Sequence, residues 1–245
     1  MLQRCIRAEQ RKLRAAPIWA MFFVLPLLSA AYGTFNYLSN QGVLNEDWYS
    51  LWTQMTLFYS LFFFPAMVAV YAGYLWRLEH LGHNWNTLMT APVPPLAVFA
   101  AKLVTVVKMM ALTQLWVLVL FAVCGKLFAH LPGWPPLATV WYLLRAMAGG
   151  CVTACFQLIL SMLIRSYAVP VIFALFGGIA GMLLPSTEAS LCWPYALLQL
   201  GMNANHAEDR MGGMLVVYFA VCAVWLAVCL LVAQLLLTRR DVKAA

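Results

Sequence analysis

The sequence predicts an all-α membrane protein with six transmembrane helices and both termini on the inner side of the membrane. Hydrophobic residues make up 64% of the 245 residues and charged residues 9%, whereas globular domains have about 45–50% and about 25%. Six apolar stretches punctuate the chain, and its basic residues cluster on one predicted side. Because so few polar residues cannot cover a water-exposed surface, the composition excludes soluble, disordered and fibrous proteins.

Each predicted span is close to the length that a bilayer requires, which is about 20 residues for a helix. The fifth span is the shortest and is rich in glycine. Because the spans use most of the chain, we expect one transmembrane domain over residues 1–245. The predicted spans are 17–38, 51–76, 100–124, 137–163, 168–185 and 213–237.

The orientation follows from the distribution of Lys and Arg. With both termini inside, twelve of the 15 basic residues lie on the inner side, and the other three are Lys126, Arg145 and Arg210. This bias indicates which side is cytoplasmic. The first span could be mistaken for a signal peptide, but its apolar run continues to Leu38 and five more spans follow.

Residues 2–14 predict an amphipathic helix that lies in the inner interface. Four arginines recur every three or four residues and therefore share one face. They are Arg4, Arg7, Arg11 and Arg14. Glu9 falls on the opposite, apolar face, where it needs a basic partner, either Lys12 or a residue on another segment. The helix is then a simple topology anchor, or Glu9 ties it to a cytoplasmic element.

The loop after the second span predicts a short amphipathic helix at the cytoplasmic surface. Apolar residues share one helical face, and Pro92, Pro94 and Pro95 end the helix because proline lacks an N–H. Such a helix can dock a cytosolic partner. Its candidate contact residues are Glu79, His80, His83, Asn84, Trp85, Thr87, Leu88, Met89 and Thr90. His80 and His83 alone are weak evidence for a metal site, so no metal is predicted.

An outer segment before the last span mixes apolar and polar residues. Trp193, Pro194 and Tyr195 suit the membrane interface, while residues 191–200 are too few to cross it. We therefore expect a re-entrant or surface helical piece, serving as a structured loop or as an outer gate.

Two polar side chains inside the spans need partners. Arg145 lies about two turns into the fourth span, where a charge is costly; it can extend outward, pair with Glu188 or pair with another subunit. Gln157 is a candidate for an inter-helix hydrogen bond. Gly177 and Gly181 permit close helix approach, which alone does not establish a dimer face.

Several catalytic motifs are missing from the sequence. It contains no Gly-x-x-x-x-Gly-Lys-[Ser/Thr], no Gly-x-Ser-x-Gly and no His-Glu-x-x-His. We therefore expect no ATP hydrolysis by a P-loop in this chain and no enzyme activity. An intramembrane protease would need a catalytic pair inside the spans, and none is visible. A non-transporting scaffold subunit stays open, and nucleic acid is not an expected partner.

Four features together resemble the membrane subunit of an ABC transporter of the type-2 permease class, and more narrowly a lantibiotic immunity permease. One is the six-span length. The others are Arg7-Ala-Glu-Gln-Arg-Lys-Leu-Arg14, Trp85-Asn-Thr-Leu-Met-Thr-Ala-Pro-Val-Pro94 with Lys102 downstream, and Cys192-Trp-Pro-Tyr195 with Gly201-Met202. Pro95 departs from the polar or basic residue that is common in relatives.

The resemblance implies a set of partners. Two permease subunits, identical or different, would pair with two cytosolic ATPase subunits in the bacterial plasma membrane, surrounded by lipid. Residues 79–90 would form the coupling helix that inserts into the ATPase. ATP and Mg would be used by that partner, with no cofactor bound here. The cargo would be a cationic antimicrobial peptide, exported for self-immunity; the alternatives are another amphipathic cargo such as a drug or lipid. No substrate-contacting residue is predicted.

Overall fold

The computed structural model describes residues 1–14, 16–81, 92–184, 186–206, 208–209 and 211–239, and every regular element in these ranges is helical. A π-helical segment, Tyr59–Phe63, joins two of the helices into one continuous rod. The helices are α1 Leu2–Lys12, α2 Ile18–Ser39, α3 Trp48–Phe58, α4 Phe64–His80, α5 Pro95–Leu127, α6 Leu137–Leu163, α7 Ala168–Met182, α8 Thr187–Leu191, α9 Ala196–Met202 and α10 Leu215–Arg239.

Five helices in the described part of the chain are long and apolar enough to cross a membrane. They are α2, the rod Trp48–His80, α5, α6 and α10. The expected fifth span, 168–185, is helical only over Ala168–Met182. Its 15 residues reach about 22 Å, which is less than the roughly 30 Å hydrocarbon core of a bilayer.

Two helices are longer than the apolar pattern predicts. The rod begins at Trp48, where Asp47 caps it by accepting a hydrogen bond from the Ser50 amide at 2.7 Å, and it ends at His80. Helix α5 begins at Pro95, since proline is well accommodated in a first turn. The extra turns carry charged residues that a hydropathy criterion excludes from a span.

The centre of the bundle consists of the rod and α6. In the most apolar stretch of the rod, 72% of the residues are buried, against 17% in α10. The side chains of Val216, Val224 and Leu231 on α10 are exposed. Because an exposed apolar helix is stable only in apolar surroundings, α10 presents a face suited to lipid or to another subunit.

Helices α8 and α9 fold back into the bundle. Leu197, Leu198 and Met202 of α9 are completely buried against the interior. The two backbones approach closely: a Cβ added to Gly201 would lie 2.7 Å from the Cα of Ala146 on α6. The sequence predicted a re-entrant or a surface helical piece for this segment, and the burial of α9 rules out a helix lying on the surface.

The glycine stripe of α7 packs within the chain. A Cβ on Gly178 would lie 2.1 Å from the carbonyl oxygen of Leu61, and one on Gly177 would lie 2.5 Å from the ring of Tyr195. The small residues thus admit the π-helical segment and the α8–α9 connection. They are not free to form a helix–helix contact with a second copy.

Candidate functional site: a buried ion-pair cluster

Four charged side chains meet where α1, the last turn of α4 and the second turn of α5 come together. We name Glu9, Lys12, Glu79 and Lys102 the basal cluster, and this end of the bundle the basal end. Glu9 reaches it because it lies on the face of α1 opposite the arginines. Glu79 is the penultimate residue of α4, and Lys102 follows the start of α5 by two turns.

The four charges alternate in a closed ring. The Lys102 ammonium lies 3.0 Å from one carboxylate oxygen of Glu9 and 2.9 Å from one of Glu79. Lys12 lies 2.7 Å from the other oxygen of Glu9 and also binds Glu79. Each carboxylate therefore contacts two ammonium groups, and the four formal charges sum to zero.

Burial makes these contacts energetically important. Lys102 has no exposed surface, Glu9 is 4% exposed and Glu79 is 6% exposed. The third donor of Lys102 is satisfied by the carbonyl oxygen of Leu75 at 3.0 Å, and its ammonium lies 4.9 Å from the centre of the Trp76 ring. A lysine has three N–H donors, so this buried charge is fully satisfied.

Lys12 lies at the open side of the cluster, partly exposed. Burial disfavours its charged form, but the attraction of Glu9 and the hydrogen bonds to Glu79 and Glu9 outweigh it, so the pKa of Lys12 is raised. Lys12 is therefore charged at neutral pH and completes the ring.

The last turn of α4 is also held on its other sides. A ring nitrogen of His80 lies 3.0 Å from the carbonyl oxygen of Ser161 near the end of α6. The Arg77 guanidinium lies 5.7 Å from the centre of the Tyr167 ring, in the connection from α6 to α7. The turn that precedes residue 82 is thus fixed to α1, α5 and α6 together.

The predicted interface helix has the expected arrangement of faces. Arg4, Arg7, Arg11 and Arg14 are exposed on one side, while Glu9 is buried on the other. Both kinds of partner that the sequence allowed for Glu9 are present, since Lys12 is on the same helix and Lys102 is on another.

The structure revises one residue of the predicted docking helix. Glu79 was expected to face a cytosolic partner, but it belongs to α4 and its carboxylate is enclosed by Lys12 and Lys102. A carboxylate so close to a buried ammonium is stabilised inside the protein. Seven further predicted residues lie outside the described residues: His83, Asn84, Trp85, Thr87, Leu88, Met89 and Thr90.

Lys102 is the member of the basal cluster that the sequence analysis missed, since it was counted only as an inner base and as part of the resemblance. It lies inside the predicted span 100–124. An ionisable residue in an apolar stretch needs a partner. The position of Lys102 within a predicted span is therefore the signal that could have identified it.

A second buried charge lies toward the other end of the bundle. Arg145 is 1% exposed, and one of its terminal nitrogens lies 2.9 and 3.1 Å from the two carboxylate oxygens of Asp209. Its Nε donates to the Gly201 carbonyl oxygen at 3.2 Å. Of the three alternatives for Arg145, pairing with Glu188 is not present: Glu188 is exposed on α8, and Asp209 reaches back from the segment before α10.

Gln157 also connects separate elements. Its amide donates to the Tyr195 hydroxyl and to the Pro170 carbonyl oxygen at 3.2 Å. The side chain thereby joins α6 to α7 and to the turn between α8 and α9.

The match to known families covers the basal cluster completely. A model of the family described as ABC-2 family transporter protein matches residues 5–181, which is more than two thirds of the chain. The chain belongs to the ABC-2 transporter family. Among curated proteins, none matches. As an ABC-2 protein with five long apolar helices, it is a multi-pass membrane protein.

Family membership also sets its general role. An ABC-2 membrane protein is the permease component of an ABC transporter, and this implies association with an ATP-binding subunit. The match begins in α1 and ends in α7, so it includes Arg145 but not its partner Asp209. The basal cluster is accordingly a feature of the family-matched part of this permease.

Proposed function

We propose that this ABC-2 permease belongs to an exporter and that the basal cluster carries movements of the ATPase into the transmembrane helices. The observation that carries the proposal is the position of the cluster. It binds α1, α4 and α5 to one another at the start of residues 79–90, the segment whose sequence predicts an ATPase-docking helix.

The proposed topology has six spans with both termini on the cytoplasmic side. Helix α7, which is short, would cross together with the buried α8–α9 segment. The distribution of Lys and Arg supports this orientation, since the three exposed arginines of α1 and Arg14 just after it lie at the basal end. The basal end would then be cytoplasmic, in contact with the ATPase.

Coupling would proceed through rigid contacts. Closure of the ATPases on ATP would displace the segment 79–90, in which Glu79 anchors the helix and Trp85 and Met89 contact the partner. Because the last turn of α4 is ion-paired to α1 and α5, the three helices would move as one unit between inward and outward states. ATP and Mg would be held by the partner.

For the cargo, we favour a lantibiotic or a similar cationic antimicrobial peptide, removed from the bacterial plasma membrane for self-immunity. The described acidic residues outside the basal cluster support a cationic cargo, since they all lie in or next to the segments predicted to face outward. They are Glu46, Asp47, Glu188, Glu208 and Asp209. A second permease subunit, identical or different, would complete the pathway.

The test begins with the complex. The tagged chain, purified in mild detergent from its own host, should bring an ATPase subunit and ATP hydrolysis with it. A chain that purifies alone without ATP hydrolysis would contradict the proposal and favour a scaffold role.

A substitution then tests coupling. Met89→Glu should leave membrane insertion and basal ATP hydrolysis intact but abolish peptide protection, because a charge would enter the apolar docking face. The matched control is Val43→Glu, which adds the same charge at a 90% exposed residue between α2 and α3. Unchanged protection in Met89→Glu would refute the coupling role.

A further inference from the structure

A cationic concavity lies between α1 and α5, on the side of α1 that faces away from the basal cluster. We name it the cationic groove. Its volume is about 440 Å³, and it is lined by Arg7, Gln10, Arg11, Arg14 and Lys108. Four of the five lining side chains are basic and none is acidic.

The bases of the groove differ from Lys12 and Lys102, which lie on the same two helices. Lys12 and Lys102 are neutralised in the basal cluster, whereas Arg7, Arg11, Arg14 and Lys108 make no ion pair with any described residue and are exposed. Like charges held together without counter-ions repel one another, and an anionic ligand removes that repulsion. The groove is therefore suited to a phosphate group, which arginine binds with two parallel hydrogen bonds.

The length of α5 indicates where the groove lies relative to the bilayer. Lys108 and Lys126 lie eighteen residues apart on this helix, which is about 27 Å along its axis. That separation matches the hydrocarbon thickness of a bilayer, which is roughly 30 Å. Lys126 donates to the Leu131 carbonyl oxygen beyond the far end of α5, so Lys108 marks the opposite boundary, at the level of lipid headgroups.

An apolar track continues from Lys108 along α5. Exposed aliphatic residues recur at intervals of three and four on the face that Lys108 occupies, so they form a single stripe. They are Leu112, Leu115, Val119 and Val123, each 36–60% exposed. A charged groove at one end of a lipid-facing stripe matches the two parts of a phospholipid.

We propose that the cationic groove binds the headgroup of an anionic phospholipid such as phosphatidylglycerol, with its acyl chains along the α5 stripe. The phosphate lies between the arginines of α1 and Lys108, and so fastens α1 to α5 from the side opposite the basal cluster. That the lipid comes from the cytoplasmic leaflet rests on the topology proposed above; the binding itself does not.

The test measures lipid binding to the full chain, purified with the subunits that it retains and placed in nanodiscs or detergent. Phosphatidylglycerol, but not phosphatidylcholine, should raise the unfolding temperature and stay bound in native mass spectrometry. Arg11→Gln and Lys108→Gln should each weaken this binding about fivefold, the effect of one base near an anionic surface. Lys108→Arg should retain it, and the matched control is Arg4→Gln, an exposed α1 arginine outside the groove.

The outcomes separate a lipid site from its alternatives. Equal binding by Arg11→Gln and Arg4→Gln would overturn the proposal, because the groove would then act only through general charge. Displacement of phosphatidylglycerol by inorganic phosphate at similar concentrations would overturn it too, since the site would then take free anions. These readouts involve neither ATP hydrolysis nor peptide protection. A failure of the lipid-binding proposal can therefore be distinguished from a failure of the proposed transport function.

Discussion

Replacing Lys102 by methionine tests the basal cluster most directly. Methionine is unbranched and only one atom shorter than lysine, but the substitution removes two ion pairs and the hydrogen bond to Leu75. Glu9 and Glu79 then remain buried and depend on Lys12 alone, which is partly exposed. Two carboxylates that share one ammonium leave an uncompensated negative charge inside the protein.

The expected cost follows from the burial of the group. Removing one partner of a buried ion pair lowers the free energy of unfolding by about 3–5 kcal/mol, because the remaining charge is left unpaired. An exposed pair contributes about 0–1 kcal/mol. Since Lys102 is fully buried and both of its partners are nearly so, we expect the larger value.

The assay is equilibrium unfolding in mixed micelles, with the free energy of unfolding as the measured quantity. Arg4→Met is the matched control, because Arg4 is an exposed base on α1 and should change stability by less than about 0.5 kcal/mol. In the double variant Glu79→Gln/Lys102→Met, part of the loss should be recovered, since the unpaired charge is gone. A Lys102→Met protein as stable as the Arg4→Met control would refute the view that the cluster holds the three helices together.

Three further predictions concern other parts of the chain. Asp209→Asn should lower the thermal unfolding temperature clearly more than Glu188→Gln, because it leaves the buried Arg145 without its carboxylate partner, whereas Glu188 is exposed; equal shifts would contradict this. Gly201→Ala should cost about 1–3 kcal/mol of overpacking against α6, while Gly213→Ala, with nothing within 4 Å, should cost little in the same unfolding assay. The pKa of Lys12 is raised in the folded protein, so its stabilisation is complete below the unfolded value of 10.5 and is lost as pH rises through the higher folded pKa. As the pH rises from neutral, the difference in unfolding free energy between wild type and Lys12→Gln should therefore shrink only in strongly alkaline solution, and a loss near neutral pH would exclude this pairing.

The local sequence pattern was sufficient to predict the all-α fold class and the helix α1. The three-and-four spacing of the arginines placed Glu9 on the buried face, and a carboxylate on such a face needs a base. That reasoning does not select Lys102, which is 93 residues away in the chain. Hydropathy also cannot place the end of α4 at His80, because the charges that interrupt the apolar pattern are neutralised only after the helices assemble.

The partner of Arg145 is a second example of a contact that the sequence pattern could not select. The sequence offered Glu188 because it lies in the outer segment, yet Asp209 makes the pair. The choice depends on how α8 and α9 fold back, and helices of five and seven residues are too short to leave a periodic signal. Burial of α9 against α6 is thus a property of the assembled bundle rather than of its own residues.

The π-helical segment Tyr59–Phe63 determines how α4 is rotated about the axis of the rod relative to α3. In this segment the Phe64 amide bonds to the Tyr59 carbonyl, five residues back, so one more residue is accommodated than in an α-helical turn. If the same residues were wound as a regular α-helix, α4 would be turned by about 100° relative to α3. Glu79, which lies 16 residues after the end of this segment, would then rotate away from Lys102. A bulge in the middle of the rod therefore acts as the angular reference for the ion pairs at its end.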